Sequence, residues 1–176
     1  MKKIVMPLII LVLVVMVVVQ KNPGSTSQQL PQLSSFAFDE IQQFSIKQNE
    51  KFMIQAKLVD KQWLLVDTES ASDSKTVIQT NVVEQLLLDL RDMKVKRVVS
   101  HSVESFADFS VTERDSTVLL SNSEGEPLLH LIVGKPAMGL LSTYVRFVGE
   151  NRVLTVDKIL TWQVKRTSDG WLTKEE

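Results

Sequence analysis

The sixteen residues from Ile4 to Val19 carry no charged or polar side chain, and they follow Met1-Lys2-Lys3. Lysine and arginine resist translocation, so two lysines before an apolar run hold the N-terminus on the cytoplasmic side of a bilayer. The expectation is a single transmembrane helix acting as a signal-anchor over residues 1–20, with the rest of the chain outside. At about 1.5 Å per residue the run makes a helix of roughly 24 Å, somewhat less than the roughly 30 Å hydrocarbon core. Gln20 and the snorkelling stem of Lys21 extend it at the far end. The competing reading is a cleaved signal peptide, which needs a small-x-small site close behind the apolar run. The pair Ser25-x-Ser27 is the one that fits, and it sits well past Val19. A helix buried in a core would have to be apolar on every face, and the basic flank argues against it.

Residues 21–35 shift to Asn, Pro, Gly, Ser, Thr and Gln, a composition that cannot bury enough apolar surface to order itself. They read as a tether holding the C-terminal domain within a few nanometres of the bilayer. The remainder is the size of one ordinary domain, long enough to build a core without staples. The chain has no cysteine, which excludes disulfides and a lipid attached through an N-terminal cysteine. Of its 20 basic side chains Lys2 and Lys3 stay inside, so the exported part, with 21 acidic ones in the whole chain, is slightly acidic. That balance, together with few and scattered aromatics, excludes nucleic acid as the expected partner.

Alternation at period two marks the strands. Structure is expected to begin with Phe36–Lys47, in which Phe44 and Ile46 alternate with Ser45 and Lys47. A turn at Gln48–Lys51 leads to a strand with Phe52, Ile54, Ala56 and Leu58 on one face, and Asp60-Lys61 to a third strand, Gln62–Asp67. The clearest helix runs from Asn81 to Met93, with Asn81 as cap, Glu84 completing a capping box and Val83, Leu86, Leu87, Leu90 and Met93 as its apolar stripe. Leu88 falls near the opposite face. Val95–Ser100 reads as a strand and Val103–Phe109 as a turn or two of amphipathic helix. Two hairpins come next, around Asn122–Glu126 and around Gly149-Glu150-Asn151. Asp157 is placed to cap a short helix through Val164, and residues 166–176, with Trp171, read as a polar tail. The expected fold is α+β over residues 36–165, mainly an antiparallel β-sheet with one principal amphipathic helix.

Several stretches in this order resemble the domain-of-unknown-function family numbered 4340. They are Leu86–Ser100, Glu104–Phe109, the turn Glu124-Gly125-Glu126, Leu131–Lys135, Tyr144-Val145-Arg146 and Val153–Asp157. The resemblance covers roughly residues 41–163 and includes a strand pair ending in a tryptophan, here Trp63. Members often carry a glycine where Ser110 stands, and many repeat the unit that occurs here once. The resemblance implies a membrane-anchored envelope protein, sometimes associated with ABC-type transport or gliding-motility components. It supplies no catalytic residues.

The residues themselves are poor in reactive clusters. Metal and nucleophile arrangements need clustered His, Cys and carboxylates, and the chain has only His101 and His130 and no cysteine. His130 lies among Leu128, Leu129, Leu131 and Ile132 and reads as structural; His101, a serine and Asp108 can be written as a triad, but no nucleophile-elbow pattern supports it. Gly134-Lys135-Pro136 lacks the further glycines and the Ser or Thr of a phosphate loop and reads as a strand-ending turn. Arg91, Lys94, Lys96 and Arg97 gather at the end of the main helix, where they complement its dipole or could touch an anionic envelope component or lipid headgroups.

No cofactor, metal or catalytic residue is therefore expected. The first expectation is a single-pass protein of the bacterial cytoplasmic membrane, bound to lipid through its N-terminal helix. Its exported domain would be a non-catalytic interaction module for another envelope protein. The alternative is a ligand- or cell-wall-binding domain using the basic group with Trp63, Tyr144 and Trp162, and a hydrolase is the third class. The oligomeric state is left open.

Overall fold

The computed structural model describes residues 36–66 and 76–173. The apolar run and the tether lie outside the described residues, among which no helix is long and apolar enough to cross a membrane.

Strands form where the alternation expects them. β1 (Gln43–Gln48), β2 (Lys51–Val59) and β3 (Gln62–Leu65) make an antiparallel meander. Its two turns, Asn49-Glu50 and Asp60-Lys61, have positive φ at both central residues, the mirror-image geometry whose twist matches that of the strands. The chain before β1 is not a strand. Phe38–Glu40 is a single 3₁₀ turn, closed by the Ala37 amide donating to Glu40 Oε2 at 2.9 Å, and Phe36 and Ile41 are buried beside it.

The helix α1 (Thr80–Asp92) buries the expected stripe, Val83, Leu86, Leu87 and Leu90, with Met93 just beyond its end. Its start differs from the expectation. The cap position is Gln79 and no side chain caps the helix, because Gln79 is already fixed by its amide to Trp171 O at 2.8 Å and by its Nε2 to Leu172 O at 2.7 Å. Leu88 remains partly exposed beside a groove that Phe38, Leu58 and Arg91 also line.

β4 (Val95–Ser100) leads to a 3₁₀ turn (Val103–Ser105) and the one-turn helix α2 (Phe106–Phe109). Then come β5 (Ser116–Ser121), β6 (Pro127–Pro136), β7 (Thr143–Phe147), β8 (Val153–Val156) and the one-turn helix α3 (Thr161–Val164). The eight strands form one sheet in the order β3-β2-β1-β5-β6-β7-β8-β4, and every neighbouring pair is antiparallel. The mainly antiparallel architecture is thus the expected one.

The chain crosses the sheet twice. Between β3 and β4 it passes from one edge to the other with α1 on one face, and that face holds the main core with Phe44, Ile54, Leu120, Leu131 and Leu154. Between β4 and β5 it returns toward the middle over the opposite face, where Phe106 and Val111 pack on Ile132, Tyr144 and Val153 in a second, smaller core. Side chains on both faces of β6 to β8 are therefore buried, whereas on β1 the face opposite Phe44 and Ile46 buries only Ser45.

Three local expectations are corrected. Gly134-Lys135-Pro136 is not a turn but the end of β6, with a register shift between Val133 and Pro136. Glycine is required there because a Cβ would collide with the backbone oxygen of Phe109. Asp157 does not cap α3; its Oδ1 accepts from the Lys94 amide at 2.7 Å and its own amide donates to Lys94 O at 3.1 Å, which ties the start of β4 to the end of β8. The segment expected as a polar tail brings Trp171 into the main core, 1% exposed and 5.7 Å from the ring of Phe44, which also meets Trp63 edge-on at 5.2 Å. Leu172 bridges Ile78 and extends the β3 edge.

Replacing Trp171 with alanine removes a fully buried aromatic and should cost about 3–5 kcal/mol of unfolding free energy in a urea titration, whereas Trp162→Ala, 70% exposed, should change it by no more than about 0.5 kcal/mol.

Ser110 and Gly134 give a second test. Ser110 ends α2 in the left-handed region (φ 56, ψ 48), where a non-glycine residue is strained by roughly 1–2 kcal/mol. Ser110→Gly relieves that strain but adds unfolded-state entropy, for a net gain of about 0.5–1 kcal/mol in a thermal melt. Gly134→Ala should destabilise in the same assay, since the clash is with backbone that cannot rotate away.

Candidate functional site

The four cations expected to cluster are divided by the change from helix to strand. Arg91 lies on α1 and is neutralised by its neighbour, with Nε 2.7 Å from Asp92 Oδ1, while its guanidinium stacks over Phe38 at 4.8 Å. The hydrogen bond from Arg91 holds the Asp92 carboxyl below its ordinary pKa. Lys94 is pinned through its backbone to Asp157. Lys96 and Arg97 are successive residues of β4 at a register shift, where Val95 pairs with Val156 and Arg97 with Thr155, so Lys96 is the extra residue of a bulge. Lys96 reaches across to the β6–β7 loop, its Nζ donating to Ser142 Oγ at 3.1 Å. The structure therefore brings Lys94 and Lys96 to one end of the sheet and commits Arg91 to an ion pair.

Among the described residues the most enclosed charge is one that the alternation hides. Tyr144 and Arg146 share the face of β7 opposite Val145, which reads as outward until the second core is recognised. Arg146 is 3% exposed. Its Nε donates to Val111 O at 2.8 Å, Nη1 to Glu150 O at 3.1 Å and Nη2 to Glu113 Oε1 at 2.6 Å, and its guanidinium lies 4.1 Å from the centre of the Phe106 ring. A buried cation is tolerated only when its donors find acceptors, and here those acceptors belong to the returning crossing and the β7–β8 turn. Removal of one partner from such a site strands the other.

A second polar cluster joins α1 to α3. Asp89 accepts from Lys158 Nζ at 3.0 Å, from Gln163 Nε2 at 2.7 Å and from Gln85 Nε2 at 3.1 Å. Burial pushes the Asp89 pKa up, but the hydrogen bonds from Gln163, Lys158 and Gln85 outweigh it and the net shift is downward. The Lys158 ammonium is correspondingly shifted up by its hydrogen bond to Asp89.

The histidines are not drawn into reactive geometry. No hydrogen bond joins His101 to a serine or to Asp108 among the described residues. The nearby hydroxyls bond one another, Ser105 Oγ to Ser100 Oγ and to Ser102 O, each at 2.7 Å. His130, on the outer face of β6, has its pKa lowered by desolvation, with Lys47 adding to the shift and Glu113 opposing it. Among the described residues no three His, Asp or Glu side chains gather as a metal site.

The sequence model of the domain-of-unknown-function family DUF4340 matches residues 69–176, more than half of the chain. The chain belongs to that family. No curated protein and no solved structure matches it. The DUF4340 match differs at both ends from the resemblance over 41–163: it leaves out the β1–β3 meander and takes in the segment carrying Trp171. It therefore contains α1, β4 to β8 and both polar clusters, so Arg146 and Asp89 belong to the DUF4340 part.

The Asp89 cluster gives this DUF4340 domain an acid dependence of known sign. A carboxylate whose folded pKa is lowered contributes stability that is complete above its unfolded pKa and is lost as pH falls through the folded value. Asp89→Ala should cost about 1–3 kcal/mol at neutral pH, measured by urea titration, because three donors lose their acceptor. The difference from the parent chain should shrink progressively below about pH 4.

Proposed function

We propose that this DUF4340 protein is a single-pass protein of the bacterial cytoplasmic membrane whose exported domain docks another envelope protein without catalysing a reaction. The observation that carries the reading is the apolar run Ile4–Val19 behind Lys2 and Lys3, set in front of a domain in which Arg146 and Asp89 are engaged with its own loops and helices. Arg146 holds a crossing and a turn, and Asp89 holds two helices together. The resemblance implies an occasional association with ABC-type transport or gliding-motility components, so a subunit of such a system is the partner to look for.

The test is crosslinking in intact membranes followed by purification of the full chain. The reading expects one stoichiometric envelope partner. A product that is monomeric or crosslinked only to itself overturns it.

A further inference from the structure

The geometry points to a lipid-contacting patch at one end of the sheet, formed by the loop Ala137–Ser142 and Trp162 within a ring of lysines. Among the described residues the four most exposed large apolar side chains are Met138 (87%), Trp162 (70%), Leu141 (69%) and Leu140 (66%). All four belong to this end. The register shows why: Pro136 pairs with Thr143, Thr143 with Val156 and Val156 with Val95, so the end of β6, the start of β7, the end of β8 and the start of β4 lie side by side. Trp162 is brought to the same end by its neighbour Thr161, whose Oγ1 donates to Gly134 O at 2.9 Å, and by Leu160, whose amide donates to Thr143 Oγ1 at 2.9 Å.

The loop is built to display its apolar side chains. The Ala137 amide donates to Ser142 O at 2.8 Å and the Leu140 amide to Ala137 O at 3.0 Å, closing a tight turn. Leu140 is held in the left-handed region (φ 59) behind Gly139 (φ 83), a costly conformation for a γ-branched side chain that gains no burial from it. Around this tip stand Lys96, bonded to Ser142, the exposed Lys135 one strand position before Pro136, and Lys94 at the start of β4. No carboxylate among the described residues lies within ion-pair distance of these three lysines.

The chemistry selects lipid over protein. Interface cores between proteins are depleted in lysine and need about 800 Å² per partner, more than a four-residue tip offers. Leucine, methionine and tryptophan within a ring of lysines match the boundary between acyl chains and anionic headgroups. The inference rests on the membrane placement proposed above. Fifteen tether residues, Lys21 to Ser35, span at most about 50 Å, so the bilayer stays within reach of this end of the domain.

The chain has no cysteine, so a single one can be introduced for labelling. Full-length protein carrying Met138→Cys, or Ser123→Cys in the turn at the other end of β6, is coupled to an environment-sensitive fluorophore. It is reconstituted into vesicles of phosphatidylcholine alone or with phosphatidylglycerol, each doped with nitroxide lipid. The label at 138 should shift to the blue and be quenched in the anionic vesicles, and the label at 123 should not. Lys96→Gln and Lys135→Gln should each lower the quenched fraction's equilibrium ratio about five-fold. Equal quenching at both positions overturns the patch, as does quenching at 138 that ignores phosphatidylglycerol and both lysine substitutions. A blue shift at 138 without lipid quenching, growing with protein density, assigns the loop to contact between copies and also overturns it. Carbonate extraction of the same vesicles reads the anchor separately. Release after quenching at 138 fails the anchor and keeps the patch, and retention without quenching does the reverse.

Discussion

One helix has to cover a sheet much wider than itself. Eight strands at about 4.8 Å spacing make a face roughly 34 Å across, and a helix of 13 residues is only about 20 Å long. Even laid straight across the strands, the helix would leave about two fifths of that width to water. Trp171 supplies much of what is missing at the β1–β3 side, where it joins Trp63 on the ring of Phe44, and Phe36 and Ile41 close the adjoining gap. Leu160 and Val164 do the same at the β6–β8 side. The short flanking segments are therefore structural parts of the core, which is why a stretch as polar as residues 166–176 contains a tryptophan at 1% exposure.

The topology explains where the enclosed polar groups are. A chain that leaves one sheet edge, crosses to the other and returns to the middle carries two connections over apolar surface, and their backbone groups need partners. The outgoing crossing is tied at Asp89, which gathers donors from α1 itself, from Lys158 and from α3. The returning one is tied at Arg146, whose planar fork takes carbonyl oxygens from Val111 and Glu150 and the carboxylate of Glu113. Arginine suits this position better than lysine would, because its donors diverge in a plane and its flat face can rest on Phe106. Each clamp is one side chain on a rigid element holding several loop groups.

Periodicity made the strands and the stripe of α1 legible, because both depend on residues close in sequence. Phe44 and Ile46, Ile54 and Ala56, and the run Val83 to Met93 needed no knowledge of the fold to be assigned a buried face. What was not legible depends on a partner far along the chain. Asn81 has the side chain of a cap, but Gln79 is held by residues 171 and 172, and that contact sets where α1 begins. Gly134 resembles a turn glycine until Phe109 is brought against it, and Arg146 resembles a surface residue until α2 covers its face. Ser110 is a different case: the tight turn forms there without a glycine, at the expense of a left-handed serine.

The basic group shows the same limit in its sharpest form. Arg91, Lys94, Lys96 and Arg97 are neighbours in sequence, yet Arg91 stays on the helix paired with Asp92, Lys94 is tied by its backbone to Asp157, and Lys96 and Arg97 belong to β4. The neighbours that Lys96 does acquire come from 46 residues away, at Ser142. They are set by the pairing that runs from Val95 through Val156 and Thr143 to Pro136. A slip of one residue in any of those pairs would turn the inner side chains of a strand outward, Val145 of β7 or Leu154 of β8 among them, so the main core resists it. The core thus fixes the register, and the register fixes which lysines surround the Met138–Leu141 tip. The surface chemistry of that end is therefore a consequence of buried packing, and it follows from no run of residues in the sequence.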